Sequence, residues 1–172
     1  MNVLIAVASR HGATREIADA IADVIRESGF VVTVRDPDDV EDIEAYDAVL
    51  LGSAIYVGRW AASARAFVDR CSHALLRRPV WLFSSGPVGS PLAPASEPDE
   101  ISSLVTRLNA RGHRSFAGRL DRSGLALAER AVVALVQAEN GDFRSWPDVQ
   151  DWALQVAQEL QSTDVSGAKL AR

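Results

Sequence analysis

Val3-Leu4-Ile5-Ala6-Val7-Ala8-Ser9-Arg10-His11-Gly12-Ala13-Thr14-Arg15 is an apolar run that stops at a serine, turns through one glycine and passes at once into an amphipathic pattern. The run reads as a strand and the residues after Gly12 as a helix. A helix start leaves backbone N–H groups without intrahelical partners, and its dipole favours negative charge there, so this junction is an anion site. Ser9 and Thr14 add hydroxyl donors, and Gly12 admits a ligand close to the backbone because it carries no Cβ. A capped strand-to-helix turn of any α/β protein has the same outline, so the rest of the chain must decide between the two.

Downstream, Ile17, Ala20, Ile21, Val24 and Ile25 share one helical face, Glu16, Asp19, Asp23 and Glu27 take the other, and Gly29 sits at the C-terminal cap. Residues 30–34 read as a second strand and 36–44 as an acidic loop. Residues 48–55 are almost wholly apolar, which suits a central parallel strand buried on both faces. Ala64, Phe67, Val68, Cys71, Ala74 and Leu75 mark a second helix with Cys71 as a structural thiol on its core stripe.

Residues 79–83 form a fourth strand, and 84–96 a loop rich in Ser, Gly and Pro. Ser96, Glu97, Pro98 and Asp99 resemble a capping box for a helix carrying Ile101, Leu104, Val105 and Leu108 and closed by Gly112. Residues 115–120, with Gly118 inside, read as a fifth strand. Residues 124–138 are apolar on more than one side, which means a deeply buried helix or one covered by a partner, with burial favoured. Ser145, Trp146, Pro147 and Asp148 cap a last helix whose stripe is Val149, Trp152, Ala153, Val156, Ala157 and Leu160. Beyond Ser162 the pattern fades, so one domain is expected over 1–161 with a flexible tail over 162–172.

Composition narrows the function classes. A chain of 172 residues with net charge −5 argues against a nucleic-acid partner. One cysteine excludes internal disulfides and a four-thiolate metal site. The three histidines lack metal-ligand spacing, so no metal is expected. Neither a signal peptide nor a spanning segment is apparent, so the expected location is the cytoplasm.

Strands alternating with helices imply right-handed β-α-β units, and hence an open five-stranded parallel sheet with helices on both faces. Ligands of such sheets bind beyond the carboxyl ends of the strands. Three loops leave those ends, at 9–14, 53–60 and 84–92, all rich in Ser, Gly or aromatic residues. An anion site beside Tyr56 and Trp60 suits a ligand with a phosphate and a flat ring. The glycine patterns of dinucleotide sites, of P-loops and of nucleophile elbows are absent. A receiver domain needs acids where this chain has Ser9, Arg10, Gly52 and Ser53.

These positions resemble the flavodoxin family, whose phosphate loop reads Ser/Thr-x-Thr-Gly-x-Thr; Ser9, Gly12 and Thr14 match, and His11 replaces a hydroxyl. Residues 9–18 and 52–60, the ending Asn140-Gly141-Asp142 and Trp152 resemble more closely the flavodoxin-like, menaquinone-dependent protoporphyrinogen IX dehydrogenases. The resemblance implies FMN as cofactor. Its phosphate would lie on the backbone of Arg10, His11, Gly12, Ala13 and Thr14 and on the hydroxyls of Ser9 and Thr14. Tyr56 would pack on the ring, with Ser53, Ala54, Ile55, Val57 and Gly58 near its reactive edge. Ser84, Ser85, Gly86, Pro87 and Val88 would cover the other side. Arg59, Trp60 and Arg122, with Arg119, are candidate substrate contacts. No acid–base side chain is required, because the cofactor carries the redox step.

By the same resemblance, electrons pass from a porphyrinogen-like donor to a quinone, as in heme biosynthesis. Peripheral contact with the inner face of a membrane and a homo-oligomer are compatible with it. The competing readings are an electron carrier between proteins and a cofactor-less interaction module. A carrier is expected to be acidic around the flavin edge, where this chain has Arg59.

Overall fold

Val3, Ile5 and Val7 of β1 (Asn2–Ala8) enter one apolar cluster, and Leu4, Ala6 and Ala8 enter another, one on each face of a sheet. The computed structural model describes residues 1–56, 58–86, 99–121 and 140–170, with the side chains of all but 99 and 164–170. After β1 come α1 (Ala13–Glu27), β2 (Val31–Arg35), a 3₁₀ turn (Pro37–Asp39) and β3 (Ala48–Tyr56). A two-residue β4 (Arg59–Trp60), α2 (Ala62–Leu75), β5 (Val80–Ser85), α3 (Asp99–Leu108) and β6 (Gly112–Phe116) come next. The last described elements are β7 (Arg119–Leu120), β8 (Gly141–Asp142) and α4 (Trp146–Leu170).

Five strands pair in parallel in the order β2-β1-β3-β5-β6, with β4 as an antiparallel spur on β3. This is the open α/β sheet expected from the alternation of elements. α1 and α4 supply one core with Ile17, Ile21, Ile25, Trp152 and Val156, while α2 and α3 supply the other with Phe67, Val68, Ile101 and Leu104. β3 and β5 divide as β1 does: Ala48, Leu50, Trp81 and Phe83 go one way, and Val49, Leu51, Val80 and Leu82 go the other. Cys71 lies in the second core at 5% exposure, and burial pushes its thiol up, as befits a structural cysteine. No helix among the described residues is long and apolar enough to cross a membrane.

One close approach sets the spacing of the central pair. Gly52 and Phe83 are register partners on β3 and β5, and a Cβ added at Gly52 would fall inside the Phe83 ring. The ring fills the side-chain space that glycine leaves empty, and it meets Phe116 and Trp152 at centroid distances of 6.4 and 5.9 Å.

The C-terminal third departs from the sequence-based expectation. The edge strand runs from Gly112 to Phe116 and not over 115–120, because Asn109 closes α3 first. Asn109 takes φ 48°, a left-handed conformation asparagine tolerates, and the Ala110 N–H donates to the Val105 carbonyl at 2.9 Å. Gly112 is thereby freed to open β6, while Arg119 and Leu120 pair with Asp142 and Gly141 in a separate ribbon. The last helix starts as expected, with the Val149 N–H on the Ser145 carbonyl, and its backbone stays helical past Ser162 to Leu170. The apolar stretch 124–138 and the segment 87–98, which holds most of the expected capping box, lie outside the described residues.

Gly52→Ala overpacks this sheet and is expected to cost about 1–3 kcal/mol. Urea denaturation checks it, and combining it with Phe83→Leu should return part of the loss.

Candidate functional site

Parallel register places Ala8, Ser53, Ser84 and Ser115 side by side on β1, β3, β5 and β6. The three loops singled out from the sequence therefore begin along one edge. The connection from β1 leads out to β2 and that from β3 leads the opposite way to β5, so the crevice of the fold opens between the first two loops.

In the first loop, Gly12 is the N-cap of α1, with φ 81° and ψ −21° and no side-chain cap bond. A left-handed N-cap favours glycine and leaves the first turn's N–H groups without a capping oxygen of its own. A Cβ built on Gly12 meets nothing within 4 Å, so the space over the cap is open. Residues 9–15 contain no acid. An open, uncapped helix start with no acid from residue 9 to residue 15 fits a phosphate group. Ala13 and Thr14 are buried, Ser9 and Gly12 half-buried, and Arg10 and His11 exposed. Arg15 pairs with Asp19 at 3.3 Å and reaches the Val34 carbonyl at 3.4 Å, so it is engaged away from the cap.

The second loop is a hairpin, with Ile55 opposite Trp60, Tyr56 opposite Arg59, and Gly58 at φ 74° in its turn. Tyr56 is half-buried and tied to the first loop: its hydroxyl accepts from the Arg10 N–H at 3.2 Å, and the Arg10 guanidinium lies 4.9 Å over its ring. Trp60 is a different matter. The hairpin returns it to the core, where it is 1% exposed and offers no face to a ligand, contrary to its expected role as a substrate contact. Its Nε1–H donates to Ser84 Oγ at 2.8 Å and its backbone N–H to Glu100 Oε2 at 2.8 Å. Arg59 is exposed and pairs with Glu100 at 3.4 Å. Val57 and Arg122 lie outside the described residues.

Both strand-end serines are committed to the protein itself. Ser53 Oγ accepts from the Ala61 N–H at 2.9 Å and donates to the Ala54 carbonyl at 2.8 Å. Ser84 Oγ, besides taking the Trp60 bond, lies 2.8 Å from His113 Nε2. Their contribution to any ligand is therefore the placement of the backbone beyond them. The third loop begins at Ser85, 6% exposed, and Gly86, whose φ of 119° suits glycine and whose N–H donates to the Phe116 carbonyl at 2.9 Å. Ser115 Oγ donates to the Gly86 carbonyl at 3.2 Å. Pro87 and Val88 lie outside the described residues.

Two participants escaped the sequence reading. His113, in a strand placed three residues too late, carries no signal beyond its alternation with Ser115. Arg144 sits 128 residues from Glu16, yet its Nη1 meets Glu16 Oε2 at 2.7 Å, and no periodicity announces such a pair. Its side chain is 3% exposed and also grips Asp142, Nε to Oδ1 at 2.8 Å and Nη2 to Oδ2 at 2.7 Å. That grip holds the Asp142 carboxyl below the usual carboxylate range and pushes Arg144 up.

Comparison with known proteins agrees with this fold. A profile of the flavodoxin domain matches residues 4–145. No curated protein matches the chain significantly. Among solved structures, a cysteine-to-serine mutant of the flavodoxin from Pseudomonas aeruginosa superposes with TM-score 0.64 at 14% identity, covering 94% of this chain and 99% of that one. The flavodoxin of Streptococcus pneumonia TIGR4 gives 0.60 at 18%, covering 95% and 99%. The rubredoxin oxygen:oxidoreductase of Desulfovibrio gigas gives 0.61 at 12%, covering 94% of this chain and 36% of that one. At these identities the likeness is one of fold.

Ser84→Ala leaves the Trp60 indole N–H buried without its acceptor, which should cost about 1–3 kcal/mol. Thermal and urea unfolding of that variant check it, with Ser115→Ala as the exposed comparison.

Proposed function

The chain belongs to the flavodoxin-domain family, with FMN as its cofactor, and on that premise we propose an FMN-dependent oxidoreductase of the protoporphyrinogen IX dehydrogenase type. It takes electrons from a porphyrinogen-like donor and passes them to a quinone. Flavodoxins are themselves the standard illustration of ligand binding at the switch point of a doubly wound sheet, which supports a site at this switch point. The observation that carries the reading is the open, uncapped Gly12 turn set beside Tyr56 at the aligned strand ends.

In this reading the N–H groups at the start of α1, with the Ser9 hydroxyl, hold the phosphate, and Thr14, buried in the first turn, supports the backbone beneath it. Tyr56 borders the ring, with one face already covered by Arg10. The backbone of residues 54–56, 58 and 84–86 lines its edges, held in place by the Ser53, Ser84 and Gly86 hydrogen bonds. When bound, the isoalloxazine supplies the redox chemistry. The chain binds, orients and shields it.

A small anionic donor is favoured over a protein partner by the charge beside the hairpin. A cleft of about 240 Å³ opens there, lined by Arg59, Arg65 and Arg107 against Glu100 and Asp69. Arg59 and Arg65 approach Glu100 only loosely, at 3.4 and 3.8 Å, which leaves guanidinium donors for the two propionates of a porphyrinogen. The carrier reading calls for an acidic rim at this place. Since Trp60 is buried, the flat donor would have Tyr56 and not Trp60 as its aromatic neighbour.

Titration of the apoprotein should give one FMN per chain, and the loaded protein should oxidise protoporphyrinogen IX anaerobically with a menaquinone analogue. Arg59→Ala should raise the KM for the porphyrinogen several-fold without releasing FMN. Quinone reduction from other donors with the porphyrinogen untouched overturns the substrate. A chain that binds no FMN is an interaction module.

A further inference from the structure

Glu16 stands in the first turn of α1, with its own N–H on the Gly12 carbonyl at 3.0 Å. An acid at that position complements the helix dipole when nothing is bound, but it repels a doubly negative phosphate held at the same end. Two arginines close on it. Arg144 Nη1 lies 2.7 Å from Glu16 Oε2, and Arg119 Nη1 lies 3.1 Å from Glu16 Oε1. The two come from remote parts of the chain, Arg119 from β7 and Arg144 from the link between β8 and α4.

Arg144 is held so that it cannot swing away. Asp142 takes one edge of the guanidinium through Nε and Nη2, the Trp146 ring lies 4.6 Å beneath it, and Nη1 is left to face α1. That nitrogen also donates to the Ala13 carbonyl at 3.2 Å, on the residue directly after the N-cap. The cluster therefore holds two charges of each sign, with one guanidinium bridging the ribbon to the turn that carries the phosphate site.

We propose that Arg144 and Arg119 neutralise Glu16 so that the first turn of α1 accepts a dianionic phosphate, Arg144 also fixing that turn through the Ala13 carbonyl. Both are positioning residues: they act on the phosphate through Glu16 and the backbone. The inference rests on the FMN reading and adds to it a reason for two arginines beside a loop that binds phosphate through its backbone.

The test compares FMN with riboflavin, which lacks only the phosphate. Fluorescence quenching gives both affinities for the wild type, Arg119→Gln, Arg144→Gln and Arg144→Lys, each with and without Glu16→Gln. Loss of either positive charge should lower the FMN-to-riboflavin affinity ratio about tenfold, the scale of one unbalanced charge near a surface. Glu16→Gln should restore the ratio in the same background, while riboflavin affinity stays within about twofold throughout. Arg144→Lys keeps the charge and loses the fork, so its ratio should fall less than that of Arg144→Gln.

If circular dichroism shows Arg144→Gln unfolded, Arg119→Gln carries the test, since that side chain is 36% exposed. Ratios that do not move, or riboflavin affinity falling in step with FMN, reduce the cluster to a fold support and overturn the inference. A wild-type ratio near one overturns the phosphate assignment itself and this inference with it. The two failures are thus distinct.

Discussion

Burial of β1, β3 and β5 on both faces leaves this chain few places to be polar. Val3, Ile5 and Val7 on one side of β1 and Leu4, Ala6 and Ala8 on the other are all at most 1% exposed, and the neighbouring strands divide in the same way. A strand so enclosed can present donors, hydroxyls and turns only at its ends. The parallel register then puts the carboxyl ends of four strands in one row, from Ala8 to Ser115, and the connections run apart on either side of it. The place of the site is a consequence of packing, before any residue of the site has been specified.

What the site does depends on how those ends are held. Ser53 and Ser84, which look like ligand hydroxyls in the sequence, spend their hydrogen bonds on Ala61, Ala54, Trp60 and His113. The first loop behaves differently, with a left-handed glycine cap, open space above it and no acid in residues 9–15. Glu16, the acid that follows this loop in the first turn of α1, is met by two arginines. The described parts of the second and third loops therefore offer mainly fixed backbone, and the first loop offers a place for negative charge. That division suits a ligand with a flat body and a single anionic end.

The sheet and the strand–turn–helix junction at Gly12 were legible because each rests on local pattern. An apolar run of strand length, a glycine and a helical stripe are all contained in residues 3–25. Trp60 was misread because an aromatic residue near a candidate site looks the same whether it faces the ligand or the core. Three residues decide it: Gly58 turns the chain, and the two-residue return onto Ile55 and Tyr56 carries Trp60 inward. The late placement of β6 has a similar cause, since Gly112 is the obvious helix stop and Asn109 the actual one. Arg144 was beyond reach for another reason: its partners Glu16 and Ala13 meet it only once α4 packs on α1.

The central claim is that negative charge is bound at the start of α1. Amide shifts in ¹⁵N-labelled apoprotein test it most directly, recorded on adding inorganic phosphate and then FMN. The account predicts that the amides of Gly12, Ala13 and Thr14 respond to both ligands, and that those of Ala54, Ile55 and Tyr56 respond to FMN alone. Phosphate-dependent shifts centred elsewhere, with residues 12–14 unmoved by FMN, would contradict it.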